Sequence, residues 1–125
     1  MAGIVRYPHP EVQALKDHYI GKSLKDANTP CAVVDVNVAR RNCKLMLDTC
    51  DALDVKFRAH IKTHKTIELT KLQVGDGPRP VNLVVSTMAE LEFILPYLQE
   101  CQSENRSINV GISLGLADNM PLTHG

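Results

Sequence analysis

A chain of 125 residues with 14 basic and 14 acidic side chains carries no formal net charge, which argues against a general nucleic-acid or polyanion binder, since that class carries a basic excess. Its 44% hydrophobic and 22% charged residues are those of an ordinary globular domain with room for one modest core. No apolar run approaches the roughly 20 residues that cross a bilayer.

Met1 to Tyr7 lack the charged-then-apolar pattern of a secretory signal. The four cysteines, at 31, 43, 50 and 101, form no Cys-x-x-Cys pair, so neither a zinc ribbon nor a thioredoxin-type motif is indicated. Cys43 and Cys50, seven apart in a helical pattern, read as small apolar packing residues. A reduced, cytoplasmic setting is expected.

In chain order, Pro8 and Pro10 precede a short leading helix over Glu11–Tyr19, and Gly21 to Asn28 is a polar connector. Thr29-Pro30 opens a predicted strand over Cys31–Asn37, rich in β-branched residues. Asn37 is the expected cap of a helix over 38–53, with Val38, Leu45, Met46, Cys50 and Leu53 on one face. A strand over 55–63 follows with almost no loop. A second helix spans 65–74, and Gly75 to Pro80 is a breaker cluster. Val81–Ser86 is a nearly continuous apolar run, which fits a strand buried on both faces. Thr87 and Glu90 form a capping-box pattern at the head of a third helix, 88–101, which Pro96 is expected to kink or end. Residues 107–113 form a fourth, weaker strand, and Leu114 to Gly125 show no pattern.

This order, a helix followed by β-α-β-α-β-α-β, implies parallel strands with helical crossovers. No GxGxxG follows the first strand and no GxxxxGK[ST] occurs, so nucleotide-binding fingerprints are absent. The expected fold class is α/β, a partial (β/α)8 TIM-type barrel of about four parallel β-α units with a leading helix. A whole barrel takes roughly 250 residues. An open half-barrel leaves strand edges and an apolar face unprotected, and no closing element follows residue 113, so a fragment of a longer chain is expected. Its divisions are 1–28, helix and connector; 29–113, the half-barrel; and 114–125, an irregular tail.

The chemistry concentrates in Val55-Lys-Phe-Arg-Ala-His-Ile-Lys-Thr-His-Lys65. On a strand, Arg58, His60, Lys62 and His64 share one face and Phe57, Ala59, Ile61 and Thr63 the other. Such a basic row suits an anionic ligand better than a packed core. Clustered like charge disfavours an ammonium ion, and a neutral amine can attack an aldehyde to form a Schiff base. Local positive charge would also draw a phosphate, so the row is compatible with a pyridoxal-type site. The bland alternative is a solvated lysine on an edge strand. A metal held by His60 and His64 is disfavoured, because a cation between Arg58 and Lys62 is electrostatically poor. Arg58 has two readings, a carboxylate partner on a neighbouring strand or a cofactor contact. Lys65 is expected to begin the helix and face water, and Asp35 is given no role.

The run Arg58-Ala59-His60-Ile61-Lys62-Thr63-His64-Lys65 closely resembles the Arg-Pro-His-x-Lys-Thr-His-Lys stretch of the D-serine dehydratase and D-threonine aldolase family, fold-type III pyridoxal-phosphate enzymes with an alanine-racemase-like barrel. Thr29 to Asp35 is similar to that family's first barrel strand. Asn42, the third strand and Ser86-Thr87-Met88-Ala89-Glu90 add support, so the likeness covers roughly residues 20–100. It implies that Lys62 carries pyridoxal 5'-phosphate and serves as the base at Cα of a small D-amino acid, with His60, Arg58 and His64 as weaker cofactor contacts. A dehydratase of this kind releases pyruvate and ammonia from D-serine; an aldolase instead breaks Cα–Cβ. Ala59 stands where the family has proline. The resemblance also implies a C-terminal β-domain with a zinc site whose ligands do not occur here, and a homodimer in full-length relatives. Neither a nucleic-acid nor a membrane partner is expected. The readings that compete with a lyase are an inactive fragment that only touches the cofactor, and a carrier or racemase relative that uses the barrel alone.

Overall fold

The structure, a computed structural model, describes residues 11–27 and 29–113. The two leading prolines, Asn28 and the tail 114–125 lie outside the described residues. Two compact units divide at Val34 and Asp35, six residues beyond the expected boundary at 28.

In the first unit, helix α1 spans Val12–Tyr19 and agrees with the leading helix read from sequence. Ser23 and Asp26 then cap a short 3-10 helix, Leu24–Asp26: the Ser23 hydroxyl accepts from the Lys25 N–H, and the Asp26 carboxylate accepts from the Ser23 N–H. The predicted strand Cys31–Asn37 does not form. Residues 31–35 are irregular, and Val33 and Val34 are exposed. β-Branched residues favour a strand only where neighbours offer a ladder and a packed face, and these valines have neither among the described residues.

The second unit opens with α2, Val36–Ala52. Its cap is Asp35, not Asn37: the Asp35 carboxylate accepts from the Asn37 and Val38 N–H groups at 2.9 and 3.2 Å. The predicted apolar stripe is also displaced. Leu45, Met46 and Leu53 are exposed, whereas Cys43, Leu47 and Cys50, spaced i, i+4, i+7, are half-buried. Burial raises the Cys43 thiol above its ordinary range.

Strand β1 is Ala59–His60, β2 is Val81–Val85 and β3 is Ile108–Ile112; they form one parallel sheet in the order β1-β2-β3. Helix α3, Ile67–Val74, joins the first two, and α4, Met88–Ser103, the last two. Among the described residues the sheet has three strands, where four are expected from the sequence. The register sets His60 beside Val84, Asn82 beside Asn109, and Val84 beside Gly111. Ala59, Ile61, Val81, Leu83 and Val85 are buried with Val74 of α3 and Ile94, Tyr97, Leu98 and Cys101 of α4. β2 is therefore fully buried on one face and half-exposed on the other, not buried on both. By strand alternation the second face carries His60, Asn82, Val84, Asn109 and Gly111.

α4 runs through Pro96, which lies on its exposed side, to Ser103. Beyond it the Arg106 guanidinium donates to the carbonyls of Arg79 and Gly75 at 3.0 and 2.9 Å. That single side chain ties the breaker cluster 75–80 to the sheet. No described helix is long and apolar enough to cross a membrane.

Candidate functional site

The basic row does not lie on one strand face. β1 ends at His60, and residues 62–64 form a turn closed by a hydrogen bond from the Lys65 N–H to the Ile61 carbonyl at 2.9 Å. The ladder stops here because the last bond from this segment to β2 is Ile61 N–H to the Val84 carbonyl, after which β2 itself ends at Val85. Lys62 thus stands just past the C-terminal end of β1, at the sheet edge where open α/β sheets and barrels place their ligands.

Each member of the row has its own setting. Lys62 is exposed, and its amine makes no hydrogen bond or ion pair among the described residues. Its backbone N–H donates to His60 Nδ1 at 3.3 Å. That assigns the His60 proton to Nε2, which lies 3.5 Å from Ser86 Oγ. His64 is committed to α3. Its Nδ1 accepts the Thr66 N–H at 3.1 Å, so Nε2 carries the proton and donates to Gln73 Oε1 at 2.9 Å. Arg58 reaches across the sheet instead of toward Lys62: Nη1 bonds the Leu83 carbonyl, the Asn109 carbonyl and Asn109 Oδ1. Of its two sequence readings, the carboxylate partner gives way to carbonyl and amide oxygens. Sequence reasoning placed all four on one ligand-facing row; the structure brings only His60 and Lys62 together.

A second cluster at the same edge was not read from sequence. Glu90, 6% exposed, lies in the first turn of α4. Thr87 Oγ1 accepts the Glu90 N–H as the capping box requires, but the carboxylate reaches the Ser86 N–H at 2.7 Å in place of Thr87's own. Its other oxygen meets Lys65 Nζ at 3.4 Å. The Ser86 N–H holds the Glu90 carboxyl below the usual carboxylate range; burial opposes this, and the hydrogen bond and charge of Lys65 reinforce it. Lys65 faces water as expected but precedes the helix, whose cap is Thr66. It sits in the left-handed region at φ 50 and pairs with a buried acid. The sequence signal was Ser86-Thr87-x-x-Glu90, whose acid can serve two turns as well as one.

An exposed amine at a parallel sheet's C-terminal edge can attack a carbonyl, and an imidazole whose ring nitrogen meets the same residue's backbone can exchange a proton with a bound molecule. This donor set fits the aldehyde end of pyridoxal phosphate. No group of three or more His, Cys, Asp or Glu that could hold a metal ion occurs among the described residues.

No family model and no solved structure matches the chain. Curated relatives do. D-serine dehydratase of Schizosaccharomyces pombe is 44% identical over 94 residues, 75% of this chain and 22% of the relative. D-serine dehydratase of Saccharomyces cerevisiae is 33% identical over 116 residues, 83% of this chain and 27% of the relative. 3-Hydroxy-D-aspartate aldolase of Paracoccus denitrificans is 34% identical over 57 residues, 46% of this chain and 15% of the relative. The chain spans about a quarter or less of the relatives it matches.

Proposed function

Because this chain belongs to the D-serine dehydratase-like family, we propose that it supplies the cofactor-bearing lysine of a pyridoxal-phosphate lyase acting on a small D-hydroxy-amino acid, with D-serine the favoured substrate. The observation that carries the reading is the Lys62 amine, exposed and without a hydrogen bond or ion pair among the described residues, at the C-terminal edge of a parallel sheet.

Lys62 is the residue that holds the cofactor, through Nζ. When bound, pyridoxal phosphate supplies an electron sink for charge that develops at the substrate's Cα. The chain's own contributions are then positional and acid–base. Lys62 Nζ would also be the base placed to take the Cα proton. His60, its Nδ1 engaged by the Lys62 backbone, turns Nε2–H and the Ser86 hydroxyl toward the same edge. Arg58 and His64 serve as scaffold: one spans the sheet and the other anchors α3.

We extend the proposal to the fold. β1, β2 and β3 form part of an alanine-racemase-like (β/α)8 barrel, with the face bearing His60, Asn82, Asn109 and Gly111 turned to its interior. The parallel order β1-β2-β3 with α3 and α4 packed on the opposite face supports this, since such a barrel carries its helices outside the strands.

Dehydration is preferred to carbon–carbon cleavage because the two relatives named as D-serine dehydratases match 75% and 83% of this chain, against 46% for the relative named as an aldolase. Incubating the chain with pyridoxal 5'-phosphate, reducing with borohydride and mapping peptides by mass should find the adduct on Lys62 and lose it in Lys62→Ala. An adduct spread evenly over exposed lysines would overturn the assignment. Pyruvate released from D-serine would separate dehydratase from aldolase.

A further inference from the structure

We propose that Glu90 is a positioning residue for Lys62: from its buried place at the head of α4 it holds, through Lys65 on one side and Ser86 and His60 on the other, the turn that carries the Lys62 amine. The inference rests on the reading of Lys62 above and assigns a role to a residue outside the basic row.

The turn 62–64 is held at both ends. Before it, His60 Nδ1 accepts the Lys62 N–H at 3.3 Å. After it, the Lys65 N–H closes on the Ile61 carbonyl at 2.9 Å. Lys65 pays for that closure with a left-handed backbone at φ 50, a conformation that costs a non-glycine residue roughly 1 kcal/mol or more. Glycine would fit this position with less strain, so the lysine side chain must contribute something glycine cannot. Its ammonium reaches Glu90 Oε1 at 3.4 Å.

Glu90 completes the circuit. Its second oxygen accepts the Ser86 N–H at 2.7 Å, and the Ser86 hydroxyl is 3.5 Å from His60 Nε2. One buried carboxylate therefore braces the end of the turn through Lys65 and the residue before it through Ser86 and His60. Capping α4 does not call for this arrangement, because Thr87 Oγ1 already accepts the Glu90 N–H at 3.2 Å. A carboxylate that is 6% exposed needs compensating partners, and both of its partners lie outside α4. They sit at the sheet edge that also carries Lys62.

The test uses the full chain and pyridoxal 5'-phosphate, with borohydride trapping and peptide mapping. The readout is the adduct at Lys62 relative to Lys25, an exposed lysine in the other unit, which a merely structural role would not move. In the wild type, Lys62 is preferred. Glu90→Gln keeps an acceptor for the Ser86 N–H but loses the charge that Lys65 meets, and Lys65→Ala loses the same pair from the exposed side. Both should lower the preference roughly tenfold, as loss of fixed geometry does, while circular dichroism shows the fold retained. Lys65→Arg, which keeps the pair, should restore the preference. A selective wild type whose preference survives in Glu90→Gln and Lys65→Ala would overturn the positioning role and leave the reading of Lys62 intact. A wild type with no preference for Lys62 would overturn that reading and this inference with it. Should Glu90→Gln fail to fold, Lys65→Ala decides alone.

Discussion

Arg58 Nη1 lies 2.7 Å from Asn109 Oδ1, a residue of β3 two strands away across the sheet. On the way it also bonds the carbonyls of Leu83 and Asn109, both at 3.3 Å. A cation just before β1 thus clamps all three strands from one face.

Arg58→Ala should therefore destabilise the chain by about 1 kcal/mol, the ordinary net worth of such hydrogen bonds at an exposed site. Asn109→Ala should cost less than that, and the double variant less than the sum, because the two share one interaction. Arg58→Lys should not rescue, since an ammonium on a shorter reach cannot reproduce the guanidinium's fork. Urea denaturation of the four variants measures all of this; strict additivity would remove the clamp.

At the start of α2 the cap assignment gives a cleaner contrast. Asp35→Ala should cost about 1 kcal/mol, because it strips the acceptor from two N–H groups of the first turn. Asn37→Ala should be close to neutral: its side chain only accepts from exposed Arg40 at 3.2 Å. Thermal melts that ranked the two variants the other way would return the cap to Asn37.

The difference between Asp35 and Asn37 illustrates what was legible. α3, α4, β2 and β3 lie close to where apolar runs, Thr87 and the 75–80 breakers put them, because each has strong local signals and a packed face to satisfy. Cys31–Asn37 carries the same β-branched signal as Val81–Val85, yet only the second has strands on both sides. β-Propensity reports fitness for a sheet and cannot say whether a neighbour is present. The basic row failed as a row for a related reason. Period-two alternation predicts a shared face only as far as the ladder runs, and the ladder stops at Ile61. The brace on Lys62 could not be read locally, because Lys65 and Glu90 are brought together only by the sheet.

Gly75 offers a test of packing between α2 and α3. It follows α3 at φ 75, and a Cβ placed on it would lie 2.7 Å from Leu47 Cδ1. Gly75→Ala should destabilise by about 1–3 kcal/mol, from left-handed strain together with overpacking. Trimming the neighbour in Gly75→Ala/Leu47→Ala should relieve the overpacking and leave the strain. A double variant less stable than the sum of the single effects would contradict this account.

Acid should weaken the fold through two carboxylates. The Ser86 N–H, with the hydrogen bond and charge of Lys65, holds Glu90 below its ordinary value of 4.5. The hydrogen bond and charge of Arg79 hold Asp51 below its ordinary 3.8. A group whose folded pKa is depressed binds fewer protons folded than unfolded, so its contribution is complete above the unfolded value and disappears as pH falls through the folded one. The unfolding midpoint should thus be insensitive to these groups near neutrality and should fall on acidification below about pH 4.5, first through Glu90 and then through Asp51. Glu90→Gln should flatten the upper part of that fall, and Asp51→Asn the lower part, each lowering the neutral-pH midpoint toward the acid value. The same melts in high salt should reduce the Asp51 contribution more, because the Arg79 pair is exposed whereas the Glu90 carboxylate is buried. A midpoint that rose as pH fell through this window, or a Glu90→Gln profile that matched the wild type, would show that the carboxylate beneath Lys65 does not support the turn.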